Sequence, residues 1–332
     1  MQPSVLVTGA TGAIGPSLVL ELCARGYRVR ALVRGHPQPG LLPESVELVT
    51  GGLDASASTQ AAEGVDVVLH LAGLLHITDP DAATIAKYTE VNVDGTAALL
   101  QAAVAQGVGR VVYFSTIAVY GITYGQVVDE ATRPDPDTPY AASKLAAERL
   151  VLAARRGDGQ SLGSVLRLAA VYGPRLKGNY DRLVRALSRG RFIPVGGGMN
   201  RRTLVHIDDV VRAAAIAAEH PAAAGGVFNV TDGSFHTMNE ITAAICSALG
   251  RRTPRLSLPE APCRLAAGLV EDGARLLGIR APIRRGIIDK YVEDVAVKGD
   301  LAQAALGFRP VVDLSSGWRS TVAALRASEG LA

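Results

Sequence analysis

The chain has 332 residues, 48% hydrophobic and 20% charged, with 34 basic and 31 acidic side chains and a formal net charge of +3. That mixture excludes a disordered chain and, by bulk charge, a strongly cationic nucleic-acid binder. No apolar run reaches the roughly 20 residues of a membrane span, and Cys23, Cys246 and Cys263 form no CxxC or Cys/His zinc pattern. The first residues also lack the charged start and apolar stretch of a signal peptide. The expectation is a cytoplasmic protein with no metal, no nucleic-acid partner and no membrane partner.

Short β-rich runs at 5–7, 29–33, 46–49, 67–71, 110–114 and 165–168 alternate with stretches of helical length, such as 97–106 and 141–154. Strands alternating with helices read as βαβ units, hence an α/β fold with a doubly wound parallel sheet covered on both faces. Beyond residue 172 the pattern loosens into helices near 183–187, 210–219, 239–249 and 265–277, with a short strand at 227–230. This divides the chain into a dinucleotide-binding domain over 1–172 and a smaller substrate-binding lobe over 173–332, with an interleaved boundary. The six histidines, His36, His70, His76, His206, His220 and His236, form no site, and the lone Trp318 reads as packing for a C-terminal helix.

The first strand runs directly into Thr8-Gly9-Ala10-Thr11-Gly12-Ala13-Ile14-Gly15. Without Cβ atoms, Gly9 and Gly12 let the backbone approach a pyrophosphate, and Gly15 lets the following helix sit close to the sheet. The helix N-terminus adds free N–H groups and a positive dipole end. A ribose-binding Asp or Glu at the end of the second strand would select NAD. Arg30-Ala31-Leu32-Val33-Arg34-Gly35 has none, and Arg34 suits a 2′-phosphate. The cofactor is read as NAD(P), with NADP favoured by Arg34 and NAD left open.

Ser115 and Thr116 follow the fifth apolar run, where ligands of open α/β sheets bind. Tyr140 and Lys144 stand four residues apart, on one face of a helix. A phenol has a pKa near ~10 and is a poor base. A neighbouring ammonium favours its phenolate, and a strand-end hydroxyl can bridge phenol and substrate.

With these pieces in order, the sequence resembles the extended short-chain dehydrogenase/reductases of the NAD-dependent epimerase/dehydratase group, whose fold is Rossmann-type. The resemblance runs from residue 4 to about 231 through the glycine turn, His70-Leu71-Ala72-Gly73, Asn92-Val93-Asp94-Gly95-Thr96, Ser115-Thr116, Tyr140 to Lys144, Val171-Tyr172-Gly173-Pro174 and Val205-His206-Ile207-Asp208-Asp209. It implies that Tyr140 is the acid/base, Lys144 its ribose-binding and pKa-lowering partner, Thr116 a substrate-hydroxyl contact and Asn92 a support beside them. It implies cofactor contacts from Gly9, Thr11, Gly12, Ala13, Ile14, Gly15, Arg34, Gly52, Leu53, Leu71, Ala72, Gly73, Ser115, Tyr140, Lys144 and Leu168. Arg175 to Asn179 and the segment from Gly198 to Val205 look like the branch that epimerises or reduces UDP-hexoses at C4. The match makes Asn179 and Arg202 diphosphate contacts and places Ser115, Thr116 and Tyr140 at the sugar.

Some positions depart from the family pattern. Gly51-Gly52-Leu53 lacks the usual carboxylate for adenine, and Ala169-Ala170 replaces a common substrate-contact pair. Ile117-Ala118 stands where the 4,6-dehydratases carry an acid and a base, and no decarboxylase-type Glu is present, so neither elimination nor decarboxylation is expected. The resemblance thus implies an NAD(P)-dependent nucleotide-sugar 4-epimerase. The alternatives are an NADP-dependent 4-keto-sugar or other carbonyl reductase and, more remotely, a non-catalytic NADP-binding sensor. Related proteins pair through two long helices, here near 86–106 and 140–156, so a homodimer is expected.

Overall fold

The computed structural model describes residues 2–75, 77, 80–175, 178–277, 279 and 285–329. His76, Leu176 and Lys177 lie outside the described residues. The strands are β1 (Ser4–Thr8), β2 (Arg28–Val33), β3 (Glu47–Thr50), β4 (Val67–His70), β5 (Arg110–Thr116), β6 (Val127–Val128), β7 (Gly163–Leu168), β8 (Ala170–Tyr172), β9 (Arg201–Arg202), β10 (Leu204–His206), β11 (Val227–Val230), β12 (His236–Thr237) and β13 (Ala296–Val297). The helices are α1 (Gly15–Ala24), α2 (Ala55–Ala62), α3 (Ala82–Tyr88), α4 (Gly95–Ala105), α5 (Pro139–Ala153), α6 (Asn179–Ser188), α7 (Ile207–Glu219), α8 (Met238–Leu249), α9 (Glu260–Leu276), α10 (Arg285–Val292), α11 (Asp300–Leu306) and α12 (Leu314–Glu329).

Seven parallel strands make one sheet in the order β11-β7-β5-β4-β1-β2-β3. Every residue of β1 and β7 is buried, as expected of strands covered on both faces. Leu18, Val19 and Leu22 of α1 and the inner face of α7 cover one side, and α2, α4 and α5 cover the other. The strand order reverses between β1 and β4, which opens the ligand crevice at the carboxyl ends of those strands.

The sheet draws on both halves of the chain. β11 pairs in parallel with β7, from Val227 opposite Val165 to Val230 opposite Leu168, and α7 lies on the sheet beside α1. A second core gathers α6, α8 and α12 around Trp318, which is fully buried and stacked on Tyr172 at 4.7 Å between ring centroids.

Candidate active site

Helix α5 begins with Thr138, whose side chain accepts a hydrogen bond from the Ala141 N–H (3.2 Å), followed by Pro139. Capping and proline fix the first turn and so fix Tyr140 beside the end of β5. There the Tyr140 and Thr116 side chains hydrogen-bond. Lys144, one turn on, is buried with its ammonium 4.1 Å from the centroid of the Tyr113 ring. A cavity of about 240 Å³ collects Ala13, Ile14, Leu71, Gly73, Ser115, Thr116, Tyr140, Lys144 and Leu168, all expected from sequence. It also takes in Phe114, Val171, Tyr172, Gly173, Pro174, Arg175 and Ile207, to which sequence reading gave no role. The run from Val171 to Pro174 was visible as a motif, but only the path of the chain after β8 brings it to this cavity.

Asn92 sits in a π-helical turn, Thr89–Asp94, a distortion that often marks functional sites. Its Nδ2 donates to Ser143 Oγ (2.9 Å) and to the Leu74 carbonyl (3.2 Å), while its Oδ1 accepts from the Leu74 N–H (2.7 Å). Ser143 in turn donates to the Tyr140 carbonyl (2.7 Å). Asn92 therefore ties the first turn of α5 to the segment after β4. The Asn92 carbonyl accepts from Thr96 Oγ1 (2.7 Å), and the His70 imidazole lies between Thr96 Oγ1 (2.9 Å) and Thr8 Oγ1 (2.7 Å). Burial, with Lys144 nearby, pushes His70 down to about 3, so the imidazole is neutral.

Burial pulls Lys144 down to about 7, against the opposing pull of the Glu148 carboxylate. Tyr140 is pushed up to about 12, first by burial and then by Tyr88, whose ring centroid is 5.9 Å away; the bond with Thr116 works the other way. The side chains alone thus hold a protonated phenol beside an amine that is half-charged near neutrality. Ser115 Oγ donates to Glu148 (2.5 Å), which also accepts from Arg167 Nη2 (2.7 Å) and Nε (3.1 Å). Both ions are buried, and Glu148 carried no role in the sequence reading. Its only local signal is an acid one turn beyond Lys144 on a helix of small residues.

The glycine turn fits a dinucleotide. A Cβ on Gly9 (φ +73°) would lie 2.7 Å from Ala72 N, and one on Gly15 would lie 2.3 Å from the Ala10 carbonyl oxygen. A Cβ on Gly73 would press to 3.0 Å from Asn92 Oδ1 and 3.8 Å from Lys144 Nζ. The N-terminus of α1 has no side-chain cap and no acid in its first turn; α4, α6, α9 and α11 also lack a side-chain cap, though α6, α9 and α11 carry an acid in the first turn and α4 continues from the π-helical turn. The N–H groups of α1 are left for an anionic ligand. Thr11 and Gly12 stand exposed in this turn.

Other expected residues lie apart from the cavity. Arg34 is exposed beyond β2. Gly52 and Leu53 follow β3, with the Leu53 side chain against Gly95. Asn179 is exposed at the start of α6. Arg202 Nη2 donates to the carbonyls of Lys290 and of Tyr291 (3.0 Å for the latter), and Nη1 lies 3.8 Å from Glu293. Its guanidinium is thus engaged by the end of α10. Among the described residues no cluster of His, Cys, Asp and Glu could hold a metal ion.

The model of the NAD dependent epimerase/dehydratase family matches residues 5–231. The UDP-glucose 4-epimerase of Vibrio cholerae is 30% identical over 332 residues, covering 98% of this chain and 96% of that protein. The 2-alkyl-3-oxoalkanoate reductase of Stenotrophomonas maltophilia (strain K279a) is 30% identical over 331 residues, covering 95% and 97%. The solved structure of MoeE5 in complex with UDP-glucose and NAD is 32% identical, with a TM-score of 0.76 over 98% of this chain and 99% of that one.

Proposed function

The chain belongs to the NAD dependent epimerase/dehydratase family, enzymes of the extended short-chain dehydrogenase/reductase type, and from that premise we propose that it is a nucleotide-sugar 4-epimerase. The observation that carries the reading is one cavity lined together by Tyr140, its hydrogen-bond partner Thr116, the buried Lys144, Ile14 and Gly73. NAD(P) would be held by the glycine turn, Gly73 and Lys144, and supplies hydride acceptance and return. Tyr140 Oη would take the proton from the C4 hydroxyl as a phenolate, a form that a charged Lys144 and a bound oxidised nicotinamide favour against the burial that raises its pKa, and later give it back, while Thr116 orients that hydroxyl. Asn92 holds the tyrosine's turn in place through Ser143. Ile117 and Ala118, which stand where the 4,6-dehydratases carry an acid and a base, have no titratable group, which weighs against water elimination.

A second reading, an NADP-dependent carbonyl reductase, is favoured by Arg34. Its exposed guanidinium makes no ion pair among the described residues and stands where a 2′-phosphate is read. The apolar lining from Leu74, Leu75, Phe114, Leu168 and Ile207 suits a lipophilic ketone. The experiment incubates the protein with UDP-glucose and NAD and follows the sugar C4 configuration by NMR, beside NADPH consumption with a ketone. Appearance of the C4 epimer supports the first reading; steady NADPH consumption with no epimer replaces it with the second. We also propose pairing of two copies through α4 and α5, where Ala97, Ala98 and Ala146 are half-buried and Ala105 and Ala142 exposed. Analytical ultracentrifugation tests it, and a monomer at all concentrations rejects it.

A further inference from the structure

Lys144 sits where water is scarce. It is 5% exposed, and among the described residues its ammonium makes no hydrogen bond and no ion pair. An ammonium taken out of water without partners tends to give up its proton. What stands against it is the face of the Tyr113 ring, with Nζ 4.1 Å from the ring centroid. Tyr113 belongs to β5 and is fully buried. Side chains two apart on a strand share a face, so Tyr113 lies with Ser115 under helix α5, while Val112 and Phe114 turn to the other side of the sheet. Val111 and Val165 fill the same layer as Tyr113 with aliphatic groups, so packing alone does not call for a phenol ring at 113.

The other groups around the amine are engaged elsewhere. Glu148 of α5 favours its charge but makes its hydrogen bonds with Arg167 of β7 and Ser115 of β5. Tyr140 bonds Thr116 and packs against Tyr88 of α3. Asn92 is turned to Leu74 and Ser143. His70 of β4 lies against the Tyr113 ring at 5.4 Å between centroids, held by the Thr8 and Thr96 hydroxyls and neutral. Tyr113 is neutral too, since burial first, and then Tyr140 and Glu148, push its phenol well above the ordinary range. We propose that Tyr113 is a positioning residue, whose ring face seats the Lys144 ammonium, favours its charged form and fixes where it points beside Tyr140. The negative face of an aromatic ring attracts a cation within about 6 Å, most strongly where water is excluded. A neutral His70 belongs to the same arrangement, because a second cation near the ring would repel the first. This role rests on the proposed partnership of Lys144 with Tyr140.

The test compares two rings of nearly one shape in the full-length protein. Tyr113→Phe keeps the negative face, and pentafluorophenylalanine placed at 113 reverses it. Lys144 is titrated by NMR of protein carrying isotope-labelled lysine, its signal assigned as the one missing from Lys144→Met. In the Phe protein Lys144 is expected to titrate as in the wild type. In the fluorinated protein it should titrate about one pH unit lower, a roughly tenfold weaker hold on the proton. Tyr113→Leu, which removes the ring, should move Lys144 the same way and serves if the fluorinated ring upsets the fold. Turnover of UDP-glucose with NAD at pH 7 should be lower with the fluorinated ring than with Phe, through kcat rather than KM. Matching Lys144 titrations across these variants overturn the proposal, because the ring would then only fill space. A Lys144 that moves as expected in a protein that epimerises nothing upholds the seat and counts against the reaction instead.

Discussion

Glu148→Ala removes one partner of a buried ion pair and leaves the other in place. Arg167 keeps only its Nη1 bond to the Tyr120 hydroxyl (3.0 Å), and Ser115 loses the acceptor for its hydroxyl proton. Glu148 is 1% and Arg167 5% exposed, so water cannot replace the carboxylate without rearrangement. Breaking such a pair costs about 3–5 kcal/mol, and the stranded hydroxyl adds about 1 kcal/mol. Against a typical stability of 5–15 kcal/mol this is a large fraction, and it lowers the melting temperature by on the order of 10 °C. The assay is urea and thermal unfolding of the wild type, Glu148→Ala, Arg167→Met and the double variant. The double variant should be more stable than the sum of the two single losses predicts, because it strands no charge. A Glu148→Ala protein within about 1 kcal/mol of the wild type, or a cycle with no coupling, would refute the reasoning.

Tyr140→Phe should lower turnover by about 10²–10⁴-fold while NAD(P) binding, followed by calorimetry, stays within a few-fold. The neutral buried His70, held near 3 when folded against an ordinary 6.5, contributes stability that is whole above pH 6.5 and is lost as pH falls toward 3; urea midpoints taken across that window should fall for the wild type and stay flatter for His70→Gln. Gly9→Ala puts a side chain at φ +73° and 2.7 Å from Ala72 N, so it should cost about 1–3 kcal/mol and abolish cofactor binding, both read by melting with and without NAD(P). Arg34→Ala should weaken NADP binding by about tenfold, worth ~1.4 kcal/mol, and leave NAD unaffected; equal losses for both would remove Arg34 from the cofactor site.

The parallel strands were legible because strands buried on both faces write uninterrupted apolar runs, as in Val5-Leu6-Val7 and Val111-Val112-Tyr113-Phe114. The glycine turn was legible for a related reason: its requirement is the absence of a side chain, which the sequence states directly. Position in the sheet was not legible for 227–230. The run reads as a strand, but its place beside β7 depends on a pairing across some 60 residues. Arg202 shows the same limit on a side chain. Its pattern admits a diphosphate ligand, but nothing in it announces that Nη2 meets carbonyls about 90 residues later in the chain.

Glu148 carries the argument furthest. From the sequence it is an acid on a helix, and such acids are usually solvated. It becomes part of the site only because β7 delivers Arg167 and β5 delivers Ser115 to the same carboxylate. The same carboxylate opposes the desolvation of Lys144 one turn away. A single buried anion thus fixes a cavity-lining hydroxyl, joins α5 to two strands of the sheet and favours the charged form of the amine beside Tyr140. Replacing it by Gln keeps the shape and removes the charge, so besides the stability lost with Arg167 left without its counter-ion the pH profile of turnover should shift, through a Lys144 that surrenders its proton at lower pH.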